Sequence, residues 1–454
     1  MKQAQNVFIG FGKAAKTLAV KMAAKGETVI LIEKDDHNYG GTCINQACIP
    51  SKNLYLASQQ RIVGSKSFNY RQAISRKNEL TSDLREMNLH NLADKERIDV
   101  INGQAVFQND EQILVTMKNG ETEEITGDRI FINTGSQPNM LAIPGIDSPF
   151  VVNSTELMEQ KELPEKLVII GGGYIGLEFA SIYRNFGSEV TVIDQRETLL
   201  PQADPDIAVE IAKSFDQDKI KRIHSAAIEK IEDQATHAVV TLTAEGTTQN
   251  IEADLILVAA GRKPNVYGLG LENTSVQYNE RGIIVDRVLK TTAEKIWAVG
   301  DVKGGPQFTY ISQDDARIIE NQLYGDGSHT LDQQVDFATT AFLNPPYSRV
   351  GLSEEELQKT GRPYGKSQMK IAALPKGRIY DDPRGMVKIL VNEDHKVVGA
   401  ELFCRESPEM INLLSVSIKL GADYEILRDH IYTHPTMTEI LNPVLNKMEW
   451  IENQ

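Results

Sequence analysis

Cysteine is scarce in this chain: 454 residues contain three, and tryptophan only two. Three thiols cannot supply a disulfide scaffold, and a chain of this length needs none, because it buries most of its unfolded surface. A reducing cytoplasm is the expected compartment, where a cysteine pair is catalytic or metal-binding rather than structural. Positive charge is short as well. Lys and Arg number 48 against 63 Asp and Glu, a net charge of −15. Such a surface repels phosphate backbones and anionic lipid, which excludes nucleic acid and membranes as partners. No apolar run reaches the roughly 18 residues that a membrane span needs. The apolar opening Val7–Ile9 runs into a glycine turn and not into a cleavage site, so it reads as a strand rather than a leader. What remains is ordinary soluble composition, 41% apolar and 24% charged, at a length of about three domains.

The glycines are organised. A strand over Asn6–Gly10 enters Gly10-x-Gly12-x-x-Ala15, a helix follows over Ala15–Lys25, and a second strand runs from Thr28 to Glu33. This is the opening of a parallel βαβ unit. Gly10 makes the turn, Gly12 lets the backbone approach a pyrophosphate, and Ala15 keeps the helix close to the strand. The helix N-terminus offers amides to phosphate, and Glu33 ends the second strand, where a carboxylate accepts from a ribose diol. The pattern recurs about 160 residues on. A strand over Leu167–Ile170 leads into Gly171-x-Gly173-x-x-Gly176, a helix over Ile175–Phe186, and a strand from Glu189 to Asp194. A later echo accompanies each copy: Phe131 to Pro138, through Thr134 and Gly135, matches Leu257 to Pro264 through Gly261. Two dinucleotide sites in one chain imply electrons passing between nicotinamide and flavin. Asp194 favours NADH by accepting from a ribose 2′-hydroxyl, while Arg196, two residues on, is placed to take a 2′-phosphate.

After the first βαβ unit a long polar helical region is expected over Ser51–Lys95, followed by strands at Ile113–Met117 and Asp128–Asn133. Beyond about residue 330 the texture changes. Strands are expected at Phe337–Phe342, Met369–Ala373, Gly385–Val391 and Val397–Phe403, with a helix over Pro408–Leu420. That order describes a separate α+β domain.

The densest segment is Gly40-Gly41-Thr42-Cys43 through Cys48 to Pro50-Ser51-Lys52. Cα atoms five apart in a regular helix are about 8.7 Å from one another, and a disulfide needs roughly 4.4–6.8 Å. The pair can therefore bridge only across a distorted turn, and such a bond is easily reduced. Two other readings stand beside this one. A metal site would need further ligands, and no nearby His or Cys has zinc spacing; two unpaired core thiols are the third possibility. Cys404, in a strand-like run without a partner, reads as a core residue.

This segment resembles the redox-active motif of the FAD-dependent pyridine nucleotide–disulfide oxidoreductases, the family of glutathione reductase, lipoamide dehydrogenase and mercuric reductase. The resemblance covers essentially the whole chain. It includes Gly300-Asp301, similar to the family's second FAD motif, and His434 followed by Glu439, similar to its acid–base motif. The resemblance implies an α/β fold with two Rossmann-like domains, for FAD and NAD(P), and a C-terminal α+β dimerisation domain. The expected boundaries are 1–147 for the first part of the FAD domain, 148–275 for the NAD(P) domain, 276–335 for the return segment and 336–454 for dimerisation. FAD contacts are expected from Gly10, Gly12, Ala15, Glu33, Gly41, Thr42, Lys52, Thr134, Gly135 and Asp301. NAD(P) contacts are expected from Gly171, Gly173, Tyr174, Gly176, Glu178, Asp194, Arg196 and Gly261. The resemblance further implies that Cys48 is the thiol nearest the flavin and Cys43 the interchange thiol. It pairs Lys52 with Glu178 beside the flavin and makes Tyr174 the gate that swings as nicotinamide enters. His434 and Glu439 would act on the partner subunit's cysteines, so a homodimer is implied, with no resident metal.

Within the family the sequence departs from lipoamide dehydrogenase after Gly300-Asp301, where Gly305 to Ser312 reads Gly-Pro-Gln-Phe-Thr-Tyr-Ile-Ser. It carries His434 where mercuric reductases have Tyr, and neither their C-terminal cysteine pair nor their leading metal-binding domain is seen. The segment Asn344–Gly351 points, with Gly305–Ser312, to a bacterial group linked to reactive chlorine resistance and hypothiocyanous acid reduction. The expected substrate is therefore a small oxidant, with a small disulfide such as lipoamide, or a metal ion such as Hg or Cu, as the alternatives.

Overall fold

The computed structural model describes residues 1–60 and 65–452. The helical expectation over Ser51–Lys95 crosses residues 61–64, which lie outside the described residues. On either side of them stand two helices, Cys48–Ser58 and Lys66–Ala93. The second begins at Ser65, whose hydroxyl accepts from the Phe68 amide at 3.2 Å, an N-cap that fixes its start.

The opening strand Lys2–Ile9 sits at the centre of the first sheet. It pairs in parallel with Val29–Glu33 on one side and with Thr122–Ile132 on the other. Ile98–Phe107 extends the sheet beyond Val29–Glu33, and Ile296–Ala298 extends it beyond Thr122–Ile132. Gln112–Met117 bridges the two long strands in antiparallel fashion. The second sheet repeats the plan with five parallel strands in the order Lys221–Ile223, Glu189–Ile193, Lys166–Ile170, Leu255–Val258 and Val151–Val152. Strands buried on both faces explain the unbroken apolar runs at Val29–Glu33 and Lys166–Ile170. The two sequence echoes turn out to pair with each other: Ser136–Pro138 runs antiparallel to Arg262–Pro264 and joins the two units.

The C-terminal unit is a six-stranded antiparallel sheet with helices including Ser407–Lys419, an α+β arrangement. One expectation is corrected here. The residues Ile371–Ala373 form a short 3-10 turn, and the strand is Tyr364–Lys370. Lys366 and Gln368 alternate with buried Gly365, Ser367 and Met369, a half-buried pattern with few apolar residues to reveal it. The strand Tyr347–Gly351 and the meander Ala226–Ala253, hidden by polar residues on exposed faces, were also not expected. Cys404 is fully buried among apolar side chains, as expected of a core cysteine.

Charges are buried where the second and third units meet. Lys388, 1% exposed, lies 2.8 Å from Asp204, 3.1 Å from Asp206 and 2.5 Å from Glu354. Beside it, Glu401 accepts from the Asp204 amide at 3.1 Å and from the Tyr347 hydroxyl at 3.0 Å. Burial first, and the Asp204 charge next, push Glu401 up to about 7 from an ordinary 4.5. Between those two pH values the folded chain holds a proton that the unfolded chain has released. Glu401 therefore adds stability that is complete below about pH 4.5 and is lost as pH rises through about 7. In Glu401→Gln, which cannot ionise, the unfolding free energy measured by urea titration should lack this decline. An identical pH profile in both chains would refute the assignment.

Candidate active site

Two glycine turns are closed from behind by the same device. Gly10 has φ +102°, and a Cβ there would stand 2.4 Å from the Asn133 carbonyl oxygen; Gly171 has φ +114°, and its Cβ would stand 2.5 Å from the Ala259 carbonyl oxygen. Asn133 and Ala259 are equivalent positions of the two echoes. In the second unit, a Cβ on Gly176 would strike the Gly171 oxygen at 1.9 Å, so only glycine lets this helix lie against its strand. Gly173 faces open space. The first unit differs. A Cβ on Gly12 would meet Asn133 Oδ1 at 2.4 Å, so Gly12 is required here by a side chain and not only by an approaching phosphate. That oxygen accepts from the Ala15 amide at 3.1 Å while Asn133 Nδ2 donates to the Val299 carbonyl at 2.7 Å. Asn133 was not expected from the sequence. Its signal was an amide in an apolar strand where the second copy has alanine.

Both helices, Lys13–Ala24 and Tyr174–Phe186, start at a glycine without a capping side chain and without an acidic residue in the first turn. Their first amides are thus available to an anion, which fits the pyrophosphate of a dinucleotide. Glu33 is buried, and its two oxygens accept from the Phe11 and Asp35 amides at 2.9 and 3.1 Å. Asp301 accepts from Ser136 at 2.8 Å, and Ser136 accepts in turn from Arg262 at 2.9 Å. Gly135, at φ +70°, follows Thr134, whose hydroxyl donates to the Asn265 carbonyl at 2.8 Å. Gly41, at φ +86°, packs so closely that a Cβ would lie 2.9 Å from Gly12 Cα. The cysteine segment is therefore laid directly on the first glycine turn.

Cys43 lies in the short helix Thr42–Asn45, and Cys48 is the first residue of Cys48–Ser58. Between them the backbone breaks at Ala47 (φ −140°, ψ −101°), the distortion that the spacing demanded. Both thiols are free in this structure and hydrogen-bonded to each other. Thr309 Oγ1 is 3.6 Å from Cys48 Sγ. The hydrogen bond from Cys43, with the Lys52 ammonium and the Thr309 hydroxyl, outweighs burial and brings Cys48 down to about 6. Its place at a helix N-terminus acts in the same direction. Cys43 is held well above the ordinary thiol range, first by the bond it gives to Cys48, then by burial and by the Cys48 charge. The pair thus shares one proton, which resides on Cys43.

Lys52 Nζ reaches Glu178 Oε2 at 2.7 Å, and the other Glu178 oxygen accepts from the Phe342 amide at 3.0 Å. On the same side a cavity of about 600 Å³ is lined by Gly173, Tyr174, Arg196, Phe308, Phe337 and Thr339, among others. The Tyr174 hydroxyl sits 3.1 Å from Thr339 Oγ1. Gly261, at φ +94°, leaves open space. Asp194 is not free to meet a ribose. One oxygen accepts from the Gly172 amide at 2.5 Å, and the carboxylate is gripped by Arg196 through Nε at 2.9 Å and Nη2 at 2.6 Å. Burial works against its charge, but Arg196 and these amides hold Asp194 below its ordinary value. The carboxylate is ion-paired, and the guanidinium that holds it is 39% exposed, so Asp194 and Arg196 face the expected ribose position together.

His434 Nδ1 is 2.7 Å from Glu439 Oε2, which orients the ring, and the histidine is largely exposed. Among the described residues, no hydrogen bond or ion pair joins it to either cysteine of its own chain.

A family model described as pyridine nucleotide-disulphide oxidoreductase matches residues 4–316, and the dimerisation-domain model of the same description matches residues 337–444. The chain is 44% identical to a probable pyridine nucleotide-disulfide oxidoreductase of Escherichia coli K12, RclA, over 98% of this chain and 99% of that one. It is 31% identical to a mercuric reductase of Lysinibacillus sphaericus, over 95% of this chain and 80% of the relative. The solved Cu(II) complex of the HOCl-induced flavoprotein disulfide reductase RclA from Escherichia coli superposes with a TM-score of 0.93 at 43% identity, covering 98% and 99% of the two chains.

The Thr309 hydroxyl stabilises an anionic Cys48, so its removal should raise the thiol pKa. In Thr309→Val, the midpoint of Cys48 alkylation against pH should rise by about half to one pH unit, since at 3.6 Å the bond contributes about 1 kcal/mol, the net for an ordinary hydrogen bond, and one pH unit is about 1.4 kcal/mol. An unmoved midpoint counts against the contact.

Proposed function

The chain belongs to the pyridine nucleotide–disulphide oxidoreductases, enzymes that use FAD and NAD(P)H, and on that premise we propose that it reduces an electrophilic oxidant of reactive chlorine stress, hypothiocyanous acid in particular. The observation that carries this reading is a cysteine pair whose Cys48 is a ready thiolate near neutral pH, in a chain closely similar to a protein described as HOCl-induced. FAD would be held at the first glycine turn by Gly10, Gly12, Gly41 and Asp301, and would supply the two-electron chemistry between NAD(P)H and the disulfide. Everything else falls to the chain. Lys52, fixed by Glu178, supplies a permanent positive charge beside Cys48. Tyr174 closes the nicotinamide side against water, and Arg196 receives the ribose end of the dinucleotide.

Cys43 meets the oxidant. Its thiolate attacks the sulfur of hypothiocyanous acid, and hydroxide leaves with the proton balance completed as water. Cys48 then attacks the Cys43 sulfur, thiocyanate departs, and the disulfide is restored. His434 and Glu439 serve the cysteines of a second copy across the dimerisation domain, in the cytoplasm, where the thiols stay reduced. No helix of the described residues is long and apolar enough to cross a membrane.

Two experiments test this reading. Steady-state turnover with hypothiocyanous acid should exceed that with glutathione disulfide, Hg(II), or NAD with dihydrolipoamide, and Cys43→Ser and Cys48→Ser should each abolish it. Turnover that is fastest with a disulfide would return the protein to the small-disulfide reductases, and turnover fastest with the metal would make it a metal reductase. The second concerns His434. A disulfide substrate needs proton transfer in each half-cycle, for which general acid–base catalysis supplies roughly 10²–10⁴-fold. Thiocyanate leaves in the second step without protonation and only the hydroxide of the first step takes up a proton, so His434→Ala should slow the oxidative half-reaction by less than that, and the loss should shrink as pH rises and Cys43 ionises without help. A pH-independent loss of about a thousandfold or more would favour a disulfide substrate.

A further inference from the structure

Lys16 lies in the first turn of Lys13–Ala24, half-buried, and its ammonium has no carboxylate within ion-pair distance among the described residues. It donates instead to two neutral acceptors, the Gly40 carbonyl at 3.2 Å and Asn88 Oδ1 at 2.7 Å. Lysines removed from water are ordinarily paired with an anion, because an uncompensated ammonium is costly to desolvate. The Gly40 bond ties this cation to the cysteine segment three residues before Cys43, and Asn88 ties it to the long helix Lys66–Ala93 that packs against that segment. The Cys43 sulfur is within its electrostatic reach.

The other groups around Cys43 leave the role open for Lys16. Cys48 is anionic and repels a second thiolate. Lys52 is engaged by Glu178, Thr309 is a neutral hydroxyl, and Arg85 donates to the Asn45 side chain at 3.0 Å. Lys13, on the same helix turn, adds like charge to Lys16. We propose that Lys16 is the counter-cation of the Cys43 thiolate, a positioning residue that makes the oxidant-facing sulfur nucleophilic where, among the described residues, no base of its own chain is bonded to it. The proposal rests on the reading of Cys43 as the sulfur that meets the oxidant. Burial, then Lys13, hold Lys16 down to about 8, while Cys43 acts in the opposite direction. The ammonium is therefore charged at neutral pH, and the appearance of a thiolate at Cys43 reinforces that charge.

The competing anion is the pyrophosphate of FAD, which the same helix N-terminus suits, and the experiment separates the two. The holoenzyme, reduced anaerobically with one equivalent of NADPH, is alkylated with iodoacetamide across the neutral and alkaline range. Modification of Cys43 is followed by peptide mass spectrometry, and FAD content and the long-wavelength absorbance of the Cys48 thiolate are read on the same samples. Lys16→Met should slow Cys43 alkylation about tenfold at neutral pH, the equivalent of an upward shift of about one pH unit in its thiol. FAD content and the Cys48 absorbance should be unchanged, and Lys16→Arg should restore the rate. Asn88→Asp gives the ammonium a carboxylate partner in place of the amide and should reproduce the Lys16→Met shift without removing the lysine, which covers the case of a poorly folded Lys16→Met. An unchanged rate of Cys43 alkylation in Asn88→Asp and Lys16→Met overturns the proposal. So does loss of FAD with the remaining holoenzyme alkylating at the normal rate, which would assign Lys16 to the pyrophosphate. Because no oxidant enters this assay, the outcome is independent of which substrate the enzyme turns over.

Discussion

The contact between Lys52 and Glu178 is where the three units of the chain converge. Lys52 extends from the cysteine-bearing helix, and Glu178 from the helix that begins at the second glycine turn. The remaining Glu178 oxygen is held by the Phe342 amide at the edge of the C-terminal unit. Lys52 Nζ also lies 4.8 Å from the Phe342 ring centre. Glu178 is 8% exposed and Lys52 29%, so the pair is partly desolvated, and loss of either partner would strand the other charge. Such a pair adds little net stability over apolar packing, but it fixes the register of three units that also share one apolar core. The same placement brings a cation to Cys48, so the geometry that joins the units also lowers the thiol.

Behind the two glycine turns a second constraint operates. In both units a strand-end carbonyl occupies the space that a side chain would need, at Asn133 against Gly10 and at Ala259 against Gly171. The duplication then diverged around one residue. Asn133 uses its amide to cap Ala15 and to hold Val299, which tightens the first turn under the cysteine segment. Ala259 cannot do this, and Gly173 in the second turn stays open.

The charges at the junction of the second and third units serve a related end. Lys388 gathers three carboxylates, and the Asp204 backbone is held by Glu401. Arg349 donates to the Gln202 carbonyl at 2.6 Å, which fixes the loop that follows Arg196. The nucleotide-facing loop is thereby anchored to the unit that carries His434. These charges sit beside an apolar core that the three units share, in which Tyr55 and Tyr70 of the first, Phe179 and Phe215 of the second and Tyr347 and Phe403 of the third are buried together.

Local physics made the glycine turns, the strands beside them and the cysteine spacing legible in the sequence. Only glycine fits a positive φ against a neighbouring carbonyl, only apolar runs form strands buried on both faces, and a pair five apart cannot bridge within a regular helix. The tertiary structure alone decided which groups stand beside those residues. Thr309 lies 261 positions from Cys48, Asn133 lies 118 from Ala15, and the two echoes pair with each other across 126 residues. The grip of Arg196 on Asp194 spans only two residues, yet it too escaped the sequence. Whether a strand-end carboxylate meets a ribose or a neighbouring guanidinium depends on a side-chain direction, which spacing along the chain does not contain.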